Sequence, residues 1–322
     1  MKAIVINEAG AEDVLVLADA EDPVAAPDQV VVEVAAAGVN FIDIYQRSGL
    51  YSMQLPYIPG SEGAGAIIAV GSDVTALAVG DDVAWTGRLG SYAQRIAIPE
   101  TGVVRVPEGV SNREAAASML QGLTAHYLVT STYELGRGDR CLIHAGAGGV
   151  GAILIQMAKR VGAEVFATVG THEKAEIASA AGADRVIVYT ETDFAAAITD
   201  IAGPKSLDVV YDGVGQSVFM DSIKLLRRRG TMATFGNASG PVEPVSPLLL
   251  SQLGSLFLTR PSLGDYMQTR EEFEWRTSEL FSWIASGDVN ITIGLELPLA
   301  EAAKAHMLLG GRSTTGKVLL IP

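Results

Sequence analysis

Gly146, Gly148 and Gly151 stand at the spacing G-x-G-x-x-G within Arg140-Cys141-Leu142-Ile143-His144-Ala145-Gly146-Ala147-Gly148-Gly149-Val150-Gly151. A short apolar strand there runs into a turn tight enough for backbone to approach a pyrophosphate, and the following helix aims free N–H groups and its positive dipole end at the same anion. The chemistry implied is dinucleotide binding; the alternative is that the glycines only pack a helix on a strand. Other chemistries find little support. Cys141 is the sole cysteine, so neither an internal disulfide nor a multi-cysteine metal site can form, and it reads as a small buried hydrophobe. His126, His144, His172 and His306 lie far apart, without H-x-x-x-H or H-E-x-x-H spacing, so no metal is expected. Neither a nucleophile elbow nor a paired-carboxylate site is present.

The elements that must position this turn are legible around it. Gly149 to Val161 carries Ile153, Leu154, Met157, Ala158 and Val161 on one helical face. Strand-like runs follow at Glu164 to Val169, Asp184 to Tyr189, Leu207 to Tyr211 and Gly230 to Phe235, separated by helix-compatible segments. Alternating strand and helix predicts an α/β fold with a doubly wound parallel sheet. Arg227, Arg228 and Arg229 are read as the cationic end of a helix, complementing its dipole, with a phosphate-binding patch as the alternative. The first third is strand-rich: Met1 to Asn7, Gln29 to Ala35, Glu62 to Val70 and Val83 to Trp85, punctuated by Gly and Pro. Ser111-Asn112-Arg113-Glu114 is a capping box that starts a helix. Later come a strand over Ser255 to Thr259 and a helix over Arg270 to Ser286.

The chain's 322 residues suggest about two domains, and 48% hydrophobic residues with few aromatics suit an α/β enzyme. A net charge of −14, with no basic run longer than three, argues against a nucleic-acid partner. The N-terminus is too short in apolar residues for a signal peptide, and no run reaches membrane-spanning length, so no membrane partner and a cytoplasmic location are expected.

Gly38-Val39-Asn40-Phe41-Ile42-Asp43, Pro59-Gly60-Ser61-Glu62-Gly63-Ala64-Gly65, Gly80-Asp81-Asp82-Val83, Gln121-Gly122-Leu123-Thr124-Ala125, Ala145 to Gly151 and Thr315-Gly316-Lys317 resemble the medium-chain dehydrogenase/reductase superfamily over the whole chain. Within it, Arg47-Ser48-Gly49-Leu50-Tyr51, Phe235-Gly236-Asn237-Ala238-Ser239-Gly240 and Thr259-Arg260-Pro261-Ser262-Leu263 resemble the zinc-independent NADPH:quinone reductases. The resemblance implies a GroES-like, mostly β substrate domain over residues 1–124 and 259–322, with a Rossmann NADPH-binding domain over 125–258 between them. Where zinc alcohol dehydrogenases place Cys, His and Cys, this chain has Asn40, Ser61 and Gln121, and the cysteine quartet of their structural lobe is absent. Lewis-acid metal chemistry therefore lacks ligands.

An NAD site carries an acid about 20 residues beyond the glycines, on the ribose 2′-OH, whereas this strand ends Ala167-Thr168-Val169-Gly170-Thr171. Lys174 follows one turn later, and the resemblance implies that Lys174, with Tyr189, grips the 2′-phosphate of NADPH; a dianion favours a charged donor without a neighbouring carboxylate. The plainer reading is an exposed helix lysine. By the same resemblance Thr171, Tyr127, Gly148, Gly149, Val150, Phe235, Asn237 and Ser239 line the cofactor groove. Arg312 nears the phosphates or is a solvated loop arginine, and Thr124 bonds the nicotinamide or caps a helix. Asn40, Tyr45 and Tyr51 are the catalytic candidates, as N–H or O–H donors to a developing oxyanion. The plainer readings are Asn40 as a helix N-cap, Tyr51 as a loop aromatic and Asp43 as a satisfied structural acid. The function implied is NADPH-dependent hydride transfer to a quinone or related conjugated carbonyl, in a homodimer formed through Leu256-Phe257-Leu258. Reduction of activated alkenes (enals or enoyl thioesters) and a non-enzymatic, crystallin-like NADPH-binding protein are the alternatives.

Overall fold

A computed structural model describes residues 1–322. The chain divides into two compact units: Met1–Leu123 with Gln268–Pro322, and Thr124–Met267. Residues 259 to 267, assigned from the sequence to the substrate domain, group here with the second unit.

In chain order the first stretch comprises β1 (Lys2–Val5), β2 (Val16–Asp19), β3 (Gln29–Val39), α1 (Phe41–Arg47), β4 (Glu62–Val70), β5 (Asp82–Thr86), β6 (Arg95–Pro99), β7 (Val103–Arg105) and α2 (Asn112–Tyr127). Ser111 opens α2 as its capping box predicts: the Glu114 N–H donates to Ser111 Oγ at 3.2 Å, and the Ser111 N–H to the Glu114 carboxylate at 2.9 Å. The second unit then runs β8 (Arg140–His144), α3 (Gly149–Arg160), β9 (Glu164–Val169), α4 (His172–Ala180), β10 (Arg185–Val188), α5 (Phe194–Ala202), β11 (Leu207–Asp212), α6 (Phe219–Leu225), β12 (Leu226–Thr234), α7 (Pro247–Gly254) and β13 (Phe257–Thr259). The chain closes with α8 (Arg270–Ala285), β14 (Ile293–Pro298), α9 (Ala302–Gly310) and β15 (Lys317–Ile321).

The second unit's sheet has the order β10-β9-β8-β11-β12-β13, and every pairing is parallel. The order reverses between β8 and β11, and ligands bind doubly wound sheets outside the carboxyl ends of the strands at such a switch point. Its core (Leu142, Phe166, Val210, Phe219, Met232 and their neighbours) is buried, as expected of strands covered on both faces. The arginine triplet corrects the sequence reading. α6 already ends at Leu225, and Arg227 to Arg229 belong to β12, where Arg227 pairs with Asp208 on β11. A carboxylate across the ladder, not a helix dipole, meets the charge.

The first unit's main sheet has the order β14-β15-β3-β4-β5-β7, with β6 on β3. In β3 Val30, Val31 and Val32 are all buried and only Glu33 is exposed. β4 and β6 flank this strand on its two hydrogen-bonding edges. Trp85 and Tyr92 are fully enclosed in this core, and the Trp85 indole N–H finds Ser91 Oγ at 2.9 Å.

Candidate active site

In the second unit, β8 passes into the glycine turn through Ala145, held at φ 54, and the Gly148 N–H closes the turn on the Ala145 carbonyl at 2.8 Å. A Cβ on Gly151 would lie 2.3 Å from that carbonyl oxygen, so only glycine lets α3 start this close to the strand. Gly148 is the N-cap of α3 and offers no side-chain cap, while Gly148, Gly149 and Val150 are all partly exposed. The helix thus presents its first N–H groups and dipole end to an incoming anion. His144, beneath the turn, is structural. Ser222 Oγ donates to the Val218 carbonyl at 2.7 Å, so it accepts from His144 Nε2–H at 2.7 Å, and Nδ1 then accepts from Thr168 Oγ1 at 2.8 Å. Burial pushes this imidazole's pKa down to about 3, so it stays neutral.

The carboxyl end of β9 continues through Gly170 to Thr171, the N-cap of α4, whose hydroxyl accepts the Lys174 N–H at 3.3 Å. The Tyr189 N–H bonds the Val169 carbonyl at 3.0 Å, and its hydroxyl stands 3.0 Å from where a Gly170 Cβ would be. The Thr171 hydroxyl, the Lys174 backbone and the Tyr189 hydroxyl thus lie around Gly170 and the start of α4. Glu173, the nearest carboxylate in sequence, is exposed on the first turn of α4.

After β11 and β12 two loops brace each other. Asp212 Oδ1 accepts the Val214 and Gly215 N–H groups at 2.7 and 2.9 Å, and the Phe235 N–H bonds the Asp212 carbonyl at 2.8 Å. Ser239 Oγ donates to the Val214 carbonyl at 2.8 Å and accepts the Ser217 N–H at 3.0 Å, so this hydroxyl shapes the loop. Arg260, unremarked in the sequence except within a motif, donates to the Thr234 and Gly236 carbonyls at 3.1 and 3.0 Å, and the Asn237 amide satisfies both its ends when turned so that its oxygen faces this guanidinium. Tyr127, 1% exposed, lies on Tyr266 with ring centroids 4.3 Å apart and 8° between planes; burial raises its phenol pKa. It is a wall here, with Thr124 buried one turn earlier.

The first unit holds the catalytic candidates. Asn40 is the N-cap of α1, and its backbone N–H is accepted by Asp43 at 2.9 Å. Asp43 thereby joins Asn40 in a capping box, and the Asn40 side chain reaches further partners. Nδ2 donates to Glu62 Oε1 at 2.7 Å and more weakly to the Gly38 carbonyl at 3.4 Å, while Oδ1 accepts from Lys317 Nζ at 2.7 Å. Lys317 also pairs with Glu62, both at 1% exposure or less, and the second oxygen of Glu62 takes the Leu120 N–H at 2.6 Å. A Cβ on Gly38 would fall 2.2 Å from the Glu62 carboxylate, so that glycine makes room for the buried acid. A second knot adjoins it: Asp43 accepts from Ser61 Oγ at 2.9 Å and Tyr92 O–H at 3.0 Å. Burial drives the Asp43 pKa up to about 6, against its hydrogen bonds and the Lys317 charge.

Tyr45 and Tyr51 meet edge to face, with centroids 5.4 Å apart. Tyr51, on the loop after α1, is 37% exposed, so the pair presents aromatic surface beside the helix that Asn40 opens. Arg312 lies in this unit too, exposed on the loop after α9 and in the left-handed region at φ 56. The sequence reading missed Glu62 and Lys317 as partners, though each is the lone charge in an otherwise small or apolar strand.

Zinc does not fit these residues. Asn40, Ser61 and Gln121 offer neither thiolate nor imidazole, Asn40 and Glu62 already hold an ammonium ion, and no three His, Cys, Asp or Glu side chains gather to hold a metal. A dinucleotide fits the glycine cradle and the open start of α3. A doubly wound sheet with such a crossover, carried between the two halves of a strand-rich unit, defines a medium-chain dehydrogenase/reductase.

Residues 26–108 match the alcohol dehydrogenase GroES-like domain and residues 149–283 the zinc-binding dehydrogenase domain. The chain is similar to a quinone oxidoreductase of Pseudomonas aeruginosa, 44% identical over 315 residues and 97% of each chain. The Escherichia coli quinone oxidoreductase complexed with NADPH superposes with a TM-score of 0.97 at 42% identity, covering 100% of both chains. A 2-haloacrylate reductase of a Burkholderia species is 38% identical over 328 residues, 99% of this chain and 98% of its own. The chain belongs to the quinone oxidoreductase family of the medium-chain dehydrogenase/reductase superfamily.

Proposed function

We propose that the protein is an NADPH-dependent quinone reductase that works by direct hydride transfer without a metal. The observation carrying this reading is the Lys317–Glu62–Asn40 cluster, a buried cation held where a metal-dependent relative needs ligands. Bound NADPH supplies the hydride. Thr171, Lys174 and Tyr189 hold the 2′-phosphate, and the N–H groups of Gly149 and Val150, beyond Gly148, face the pyrophosphate. Thr124, Tyr127, Phe235, Asn237 and Ser239 shape the rest of the groove, with Arg312 as a further phosphate contact. The aromatic surface of Tyr45 and Tyr51 receives the flat quinone, and their hydroxyls face the oxyanion that develops on it. Asn40, its amide engaged with Glu62 and Lys317, positions this cluster rather than reaching the substrate. Two copies associate along β13, the edge of its sheet, where Phe257 is 60% exposed; a monomer in sedimentation removes that element.

The 2-haloacrylate reductase relative favours a second reading, reduction of an activated alkene. Steady-state NADPH oxidation against a quinone panel and an enal panel separates the two. Higher kcat/KM for quinones is the expected result, and higher values for enals overturn it. Turnover with neither, despite tight NADPH binding, leaves a crystallin-like binding protein.

A further inference from the structure

Two-electron reduction of a quinone by hydride leaves an oxyanion that needs one proton, and the first unit contains a chain of hydrogen bonds suited to carry one. His306 Nε2 lies 3.1 Å from the Tyr92 oxygen, Tyr92 donates to Asp43 Oδ2 at 3.0 Å, and Asp43 Oδ1 accepts from Ser61 Oγ at 2.9 Å. Because Tyr92 gives its proton to Asp43, it accepts from His306 Nε2–H, leaving Nδ1 as the bare nitrogen. Every link can both accept and release a proton.

The ends differ in kind. Asp43, Tyr92 and His306 are fully enclosed, and Ser61 alone retains surface, at 5%. At the far end His306 Nδ1 has no protein partner, and neither do Tyr57 O–H and the Nε and Nη1 of Arg47. These donors and acceptors together suit bridging water better than an anion. Arg47 reaches outward to Glu12 at 2.8 Å, whose side chain is 39% exposed.

We propose that Ser61 protonates the reduced quinone's oxyanion and that Asp43, Tyr92 and His306 resupply it from solvent on the Arg47 side. The idea rests on the quinone reductase reading. One proton enters at His306 Nδ1 as Nε2–H passes to Tyr92. The Ser61 proton forms the new quinol O–H bond, Tyr92 protonates Asp43 on Oδ2, and the carboxyl group turns to deliver that proton to Ser61 Oγ. No electrons move along the chain. The charged and titratable groups around it are Arg47, Tyr57, Glu62 and Lys317, with Glu12 behind Arg47. Burial, which lifts Asp43 to about 6, makes it a better donor near neutrality than an ordinary carboxyl.

Tyr92→Phe and Ser61→Ala each interrupt the path with little change of volume. Against wild type that reduces quinones with NADPH, each variant is expected to lose about 10²-fold or more in kcat with KM for NADPH unchanged, to gain a larger D2O solvent isotope effect, and to recover with added imidazole or formate. A structural defect alone gives neither the isotope effect nor the buffer rescue. In the cofactor-free protein, histidine ¹⁵N NMR is expected to show His306 as the neutral Nε2–H tautomer, with its Nε2 signal moving in Tyr92→Phe. Wild-type kcat and isotope effect in both variants, or an unmoved Nε2 signal, overturns the relay. Wild type that reduces no quinone refutes the parent reading instead, whatever the NMR shows.

Discussion

Lys317→Met is expected to destabilise the first unit by about 3–5 kcal/mol, the usual consequence of removing one partner of a buried ion pair. The substitution leaves Glu62, fully enclosed, with the Asn40 amide and Leu120 N–H as partners but no counter-cation. The Coulombic attraction is lost while the carboxylate's desolvation remains. Replacing both charges, in Lys317→Met with Glu62→Gln, removes that imbalance and is expected to recover most of the loss, because contacting residues couple strongly. Denaturant unfolding of the wild type, the single and the double variant measures this. A single variant within about 1 kcal/mol of wild type, or a double variant no better than the single, contradicts a tightly coupled buried pair.

Lys174→Ala is expected to weaken NADPH by about one to two decades while leaving NADH almost unchanged. A charged hydrogen bond contributes roughly 1.5–3 kcal/mol, and each 1.4 kcal/mol is about tenfold in affinity. Lys174 follows Thr171 at the start of α4, beside Tyr189, and β9 ends there in Thr168-Val169, followed by Gly170, without the acid that would repel a 2′-phosphate. Because Lys174 is only partly buried, added salt is expected to narrow the wild-type preference. Fluorescence titration of both cofactors decides it: equal wild-type affinities, or an equal loss for both in the variant, sinks the assignment of Lys174 to the 2′-phosphate.

Much of this was legible because local chemistry and fold agree. The glycine spacing announced the cradle, since the close approach of α3 to Ala145 excludes any larger residue at Gly151. The Glu62 to Val70 and Glu164 to Val169 strands appear with the expected bounds, because β-rich apolar runs end there at turns. What stayed hidden depends on partners distant in sequence. Asn40 is the N-cap that its place before Phe41-Ile42-Asp43 suggested, but the bond from Lys317, 277 positions away, to its side-chain oxygen carries no local signal. Tyr92 and His306, 214 positions apart, carry no local signal of their contact. The arginine triplet misled because charge density resembles a helix end, while the ladder partner that neutralises Arg227 is Asp208 on another strand.

The central claim, metal-free reduction of a quinone by NADPH, is tested most directly by stoichiometry under anaerobic conditions after exhaustive chelation. Wild-type protein mixed with NADPH and a limiting benzoquinone is expected to consume one NADPH per hydroquinone formed, at the same rate before and after chelator treatment. Loss of turnover on chelation with recovery on adding zinc, or NADPH that binds and is never oxidised, contradicts it.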